Sequence, residues 1–242
     1  MARLFAVFVC SLFFGQAALA QDPSAAARPV RVVIASERLA SVVEAPMHFK
    51  MIQVSIARGQ TANYSGPSGY LYALSGRAEL SAGGTQRSLS AGEAAYVGAG
   101  ESANLHSAGS APAVLLHFML LPAAALESAP YSGTAKVAEL YRSPERFPRL
   151  ETGPYEFSLT KVTSPPKVKP PLHQRSGAAV YYVLDGAGIL HMDGKSEPRN
   201  KGAVQYEPNG FVHTWENAGT VPLILLQANI SREGAPEIVL QR

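Results

Sequence analysis

Apolar residues fall along this chain in short runs, each closed by a turn former, with little sustained periodicity of the helical kind. The runs Gly69 to Leu74, Ala94 to Val97, Ala113 to Met119, Glu156 to Val162, Ala178 to Leu184, Ala203 to Tyr206 and Leu223 to Ile230 are rich in aliphatic and aromatic side chains. That composition suits pleated strands. Between them stand Ser75-Gly76, Ala82-Gly83-Gly84, Asp185-Gly186, Asp193-Gly194, Pro208-Asn209-Gly210 and Asn217-Ala218-Gly219, which favour tight reversals of the backbone. Many short strands joined by regular turns predict an all-β sandwich or barrel. The exception is Ala123 to Tyr141, where the pattern allows a short helix in a connection.

The pattern also repeats. Tyr72, Leu74, Gly76, Leu80, Gly84, Gly92, Tyr96, Gly100, Gly109, Pro112, Leu115 and Leu116 recur 110 residues later as Tyr182, Leu184, Gly186, Leu190, Gly194, Gly202, Tyr206, Gly210, Gly219, Pro222, Leu225 and Leu226. Two similar units therefore make up most of the chain. The expected division is an apolar leader at residues 1 to 20, a loose arm at 21 to 30, a first unit at 31 to 125, a linker at 126 to 150 and a second unit at 151 to 242.

Composition narrows the partners. Arg3, the apolar run Leu4 to Phe14 and the small-residue exit Ala18-Leu19-Ala20 have the layout of a cleavable secretory signal, and the run is shorter than the roughly 20 residues a membrane-spanning helix needs. An exported protein, periplasmic or secreted, is expected, with no membrane association once the signal is removed. The single cysteine, Cys10, lies in that leader, so the mature chain holds no disulfide and depends on its core. Formal net charge is +3, with no dense basic block interleaved with aromatics, and this argues against a nucleic-acid partner.

The candidate chemistry lies in the second unit. Pro208-Asn-Gly210-Phe-Val-His213-Thr-Trp-Glu-Asn217 fits the pattern PxGxxHxxxN, and His173-Gln-Arg175-Ser-Gly-Ala-Ala179 stands upstream of Gly186 with the spacing of HxHxxxE followed by six residues and Gly. With these two motifs the chain resembles a two-domain member of the cupin superfamily, over roughly residues 50 to 120 and 155 to 230. The resemblance implies two tandem jelly-roll β-barrels, each with a pocket inside. It also implies a divalent metal (iron, manganese, nickel, copper or zinc) on the motif histidines and glutamate, a small-molecule ligand or substrate, and homodimers as a common assembly.

The motif is incomplete here. His173 and His213 are kept, while Arg175 and Ala179 stand where the resemblance implies the second histidine and the glutamate. In the first unit the matching residues are Asn63, Ser65, Gly69 and Ala103, none of them a usual ligand, although Asn63 and Ser65 would give a polar pocket. A guanidinium has no lone pair and repels cations, so a metal at His173 and His213 needs further donors. Tyr181, two residues beyond Ala179 on the same strand face, and His191 on the following strand are the candidates.

Three readings stay open. One is metal-assisted decarboxylase, dioxygenase or lyase chemistry. Another is metal-free acid–base isomerisation by His173 and His213 with Arg175 and Tyr181, on a small anionic ligand held by Arg175 and flanked by Trp215. The last is simple small-molecule binding. Arg175 has a competing role as the partner of a local acid such as Asp185, and Lys167 and Lys169 as a solvated edge or a basic pocket mouth.

Overall fold

The computed structural model describes residues 27–40, 47–143 and 153–241. The leader at 1 to 20, most of the expected arm at 21 to 30, residues 144–150 of the expected linker and residues 151 and 152 of the expected second unit lie outside the described residues. Strand β1 (Val30–Leu39) is followed by β2 (Met47–Ile56), β3 (Thr61–Ser65), β4 (Ser68–Ser75), β5 (Arg77–Ala82), β6 (Thr85–Ser90), β7 (Ala94–Val97), β8 (Ser102–Ser107), β9 (Ala113–Pro122), β10 (Tyr131–Gly133) and β11 (Lys136–Arg142). The second half holds β12 (Tyr155–Ser164), β13 (His173–Arg175), β14 (Gly177–Asp185), β15 (Ala187–Met192), β16 (Lys195–Asn200), β17 (Val204–Glu207), β18 (Val212–Glu216), β19 (Leu223–Arg232) and β20 (Ile238–Leu240).

These strands form four five-stranded antiparallel sheets among the described residues. The first barrel combines β11-β2-β9-β4-β7 with β10-β3-β8-β5-β6, and the second combines β1-β12-β19-β14-β17 with β20-β13-β18-β15-β16. Each barrel thus has an outer sheet facing solvent and an inner sheet facing the other barrel. The burial pattern follows from this. Strand β5 alternates because one face meets water, whereas β4 is buried almost throughout: Leu71 and Ala73 point into the first barrel, and Tyr70 and Tyr72 point into the seam between barrels. A continuous apolar run is what burial on both faces requires.

Three cores result. One fills the first barrel around Tyr64, Leu80, Leu89 and Leu105, and a smaller one fills the second around Tyr181, Leu190 and Trp215. The third packs the two inner sheets together through Phe49, Tyr70, Phe118, Phe157, Val180 and Leu226. Tyr182 joins that seam, as its repeated position Tyr72 does. The Tyr70 hydroxyl donates to the Phe157 carbonyl across it at 2.5 Å, so a polar tip is satisfied inside an apolar interface.

Two expectations are corrected. Ala123 to Tyr141 holds one 3₁₀ turn at Ala123–Ala125 and then the strands β10 and β11, because the chain there pairs with the exposed edges of β3 and β2 and pairing overrides weak helical propensity. Residues 31 to 39, expected in the first unit, pair instead with β12 of the second barrel. The inner sheet of each barrel is therefore closed at one edge by a strand from the opposite end of the first half: β11 on β2, and β1 on β12. Among the described residues no helix is long and apolar enough to cross a membrane.

Candidate functional site

The turn Pro208-Asn209-Gly210 carries the chain from β17 into β18. Gly210 has φ +82°, a left-handed conformation that glycine adopts without steric penalty. Asn217 closes the far end of β18: its Nδ2 donates to the Ser164 carbonyl at 2.9 Å and its Oδ1 accepts from the Gly219 amide at 3.0 Å. The Pro, Gly and Asn of the motif thus build the backbone. What they display is His213, buried and directly opposite His173 in the β13–β18 ladder, with ring centroids 4.5 Å apart.

Arg175, at the end of β13, is 1% exposed. Its Nε donates to Glu207 Oε2 at 2.8 Å, one Nη donates to the Tyr181 hydroxyl, and Nη1 points to Asn229 Oδ1 at 3.4 Å and to the Glu237 carbonyl at 3.5 Å. Glu207 is fully buried and its second oxygen, Oε1, accepts from the Trp215 indole at 2.9 Å. His213 Nε2 also lies 2.9 Å from Oε1, but off the line of a well-directed hydrogen bond, so this buried ring nitrogen has no aligned partner. From Tyr181 the network runs on: its hydroxyl donates to Gln227 Oε1 at 2.8 Å, which also accepts from Arg31 of β1 at 3.0 Å. Arg31 in turn pairs with Glu237.

Glu207 was not anticipated, and it changes the site. It stands directly opposite Ala179 in the β14–β17 ladder, so the carboxylate missing from position 179 is supplied by the neighbouring strand on the same face. A signal was available in the sequence: the equivalent residue in the first unit is Val97, and a glutamate in place of a buried valine demands an explanation. Burial alone would raise the Glu207 carboxyl, but the charge of Arg175, with the nearby His213 ring and the Trp215 indole, holds it down at about 2. Burial, reinforced by His213, lowers His173 to about 4, so its imidazole is neutral at ordinary pH. Burial raises Tyr181 far above its usual range.

The other predicted residues are placed as follows. Tyr181 and Trp215 share the interior, with rings 5.6 Å apart. Arg175 pairs with Glu207 and not with Asp185, which meets Lys201 at 3.2 Å. His191 is not in the barrel: it pairs with Thr214 while Met192 pairs with His213, and the strand alternation sends it to the outer face. Lys169 is on that face too, 3.6 Å from Glu216, and Lys167 donates to the Ala218 carbonyl. Neither lysine reaches the Arg175 network.

In the first barrel the polar pocket expected from Asn63 and Ser65 does not exist. Their side chains are exposed, and Asn63 Oδ1 accepts from Asn104 at 2.9 Å. Ala103 pairs with Tyr64, whereas its repeat His213 pairs with His173. Strand β3 is thus slipped by one residue relative to β13, and a one-residue slip turns every side chain to the other face. Tyr64 enters the barrel instead and packs on His117, with centroids 4.8 Å apart. Tyr131 bonds to His117 Nδ1 at 2.8 Å.

The donor set does not suit a resident divalent metal. His173, His213 and Glu207 are two imidazoles and a carboxylate, yet among the described residues no three such groups are placed to hold one ion. Both Glu207 oxygens are engaged by Arg175 and Trp215, and a fixed cation already occupies the side of the site from which the second histidine of a metal set would reach.

Comparisons with known proteins agree with this architecture. The Cupin_2 family, described as a cupin domain, matches residues 160–228. An oxalate-binding protein of Thermotoga maritima is 29% identical over 101 residues, 35% of this chain and 84% of that protein. An uncharacterized protein of Methanocaldococcus jannaschii is 34% identical over 70 residues, 28% of this chain and 56% of its own length. Among solved structures, AerE of Microcystis aeruginosa has TM-score 0.54 at 16% identity, over 78% of this chain and 95% of that one. An oxalate decarboxylase has TM-score 0.55 at 13% identity, over 84% and 78%. A cupin-domain match thus spans most of the second barrel, and the pair of jelly-roll barrels has the fold of these solved structures.

Proposed function

We propose that the second barrel is a metal-independent site for a small organic molecule bearing a hydroxyl or carboxyl oxygen, held by His173 and His213. The observation that carries this reading is His213 Nε2, a buried ring nitrogen without an aligned hydrogen bond beside an Arg175–Glu207 pair that has taken over the ground of a metal. A buried polar atom without an aligned hydrogen bond is costly, and a ligand oxygen meeting it in line removes that cost. His173, half-buried and neutral, is the second contact, its ring centroid 4.5 Å from that of His213. Two imidazoles facing one ligand are also suited to proton transfer on it. Arg175 acts by fixing Glu207 and Tyr181, since its own donors are largely taken within the protein. The name of the T. maritima relative points to short carboxylic acids as the first ligands to try.

Metal-assisted chemistry is the second reading. It is favoured by the 2.9 Å approach of His213 to Glu207 and by the fold shared with an oxalate decarboxylase of Bacillus subtilis that is described by its Mn(II) centers. Calorimetric titration of oxalate and other short carboxylic and hydroxy acids into chelator-treated protein separates the two. Binding that survives chelation and is lost in His173→Ala and His213→Ala supports the metal-free site. Binding that appears only after Mn²⁺ is restored would overturn it.

A further inference from the structure

The outer face of the second barrel carries a separate set of reactive groups. Ser196 of β16 stands directly opposite His191 of β15, and His191 opposite Thr214 of β18, so Ser196, His191 and Glu216, two residues beyond Thr214, share one sheet face. Ser196 Oγ lies 2.8 Å from His191 Nδ1, and Glu216 Oε2 lies 2.7 Å from His191 Nε2. A carboxylate can only accept, so Nε2 bears the hydrogen and Nδ1 presents its lone pair to the serine hydroxyl. Carboxylate, imidazole and hydroxyl in that order are the groups by which a general base activates an alcohol.

A cavity of about 440 Å³ opens over this array, lined by His191, Ser196, Lys195 and the apolar Leu172, Met192 and Val212. That is large enough for a small organic substrate. The fold does not require the trio, because the positions 110 residues earlier on the first barrel are Ser81, Gln86 and His106.

We propose that this groove hydrolyses small carboxylic esters, with Ser196 as nucleophile and His191 as general base. Ser196 Oγ bonds to the ester carbonyl carbon as its proton passes to His191 Nδ1. The bond from that carbon to the alkoxy oxygen then breaks, and the alcohol leaves with the proton. Water, deprotonated by the same nitrogen, attacks the acyl-serine and releases the carboxylic acid, which restores the Ser196 hydroxyl. One ester and one water become one acid and one alcohol. Glu216 is a positioning residue that fixes the imidazole tautomer. Lys195, with no ion-pair partner among the described residues, supplies a cation for the developing oxyanion.

The test uses the purified full chain with a fluorophosphonate probe and with p-nitrophenyl acetate. Labelling mapped by mass spectrometry to Ser196 is expected, absent from Ser196→Ala. In His191→Ala both labelling and turnover should fall about 100-fold or more and recover in part with added imidazole. Glu216→Gln should lower kcat at unchanged KM and melting temperature. No adduct at Ser196, or an adduct whose rate is indifferent to His191→Ala, overturns the proposal, and since neither readout involves the barrel interior, the barrel reading stands or falls separately.

Discussion

Arg175 and Glu207 form a fully buried ion pair, Nε to Oε2 at 2.8 Å, with neither side chain exposed to water. Removing one partner of such a pair leaves an uncompensated charge in a low dielectric. Glu207→Gln should therefore lower the unfolding free energy by about 3–5 kcal/mol. Replacing both partners, as Arg175→Met with Glu207→Val, should cost much less, because two buried charges disappear together. Urea unfolding of Arg175→Met, Glu207→Val and the double variant completes the cycle, and a double variant that loses as much as the two single variants together would show that the pair has no such coupling.

The same pair should limit metal affinity. Arg175→His removes the fixed cation and adds an imidazole beside His173, His213 and the freed Glu207, giving three nitrogens and one carboxylate. Elemental analysis after incubation with Mn²⁺ or Zn²⁺ and desalting should find close to one ion per chain in the variant and far less in the natural protein. Equal metal in both would contradict the view that Arg175 excludes it.

Acid should destabilise the protein in two stages. His117 is held at about 3 by burial in the first barrel, against an ordinary value near 6.5. The unfolded chain takes up this proton first, so stability is greatest above about pH 6.5 and falls towards pH 3, at roughly 1.4 kcal/mol per pH unit from this residue. His173, lowered to about 4, acts in the same direction. Glu207, depressed to about 2, contributes stability above the ordinary carboxylate range that is lost as pH drops below it. His117→Gln, which copies the residue at the equivalent position 227, should flatten the slope between pH 6.5 and 4.5 in denaturant titrations. An unchanged slope would mean that His117 is not buried neutral.

Arg31 ties the first strand to the second barrel through Gln227 at 3.0 Å and through Glu237. Arg31→Ala should speed hydrogen exchange in β12 and β19 while leaving β2 and β9 unchanged. Equal acceleration in both barrels would argue against this selective attachment.

Much of the fold was legible in the sequence because turns and buried strands leave local marks. The glycines and prolines shared at the 110-residue offset fix where strands end, and the motif from Pro208 to Asn217 locates His213. Three features were not legible, each for a different physical reason. Glu207 acts across strands, opposite Ala179, and no spacing along the chain exposes a cross-strand replacement. Asn63 and Ser65 were turned outwards by a slip of a single residue in β3, invisible to an ungapped alignment. Strands β10 and β11 owe their form to the edges they cover, so the local pattern of Ala123 to Tyr141 could suggest a helix.

The pairing of β1 with β12 joins residues more than a hundred positions apart, from Val30 with Thr163 to Leu39 with Tyr155. On a ribosome adding about 5–20 residues each second, β1 emerges first and waits several seconds for its partner. Through that interval Val30, Val32 and Val33, exposed even in the finished fold, sit on an unpaired strand, the kind of edge that recruits other chains. The first barrel can close on β11 before the second has been made. Strand β1, which completes the inner sheet of the second barrel, must be kept from aggregation until that half arrives, which makes the order of synthesis part of how this protein reaches its native state.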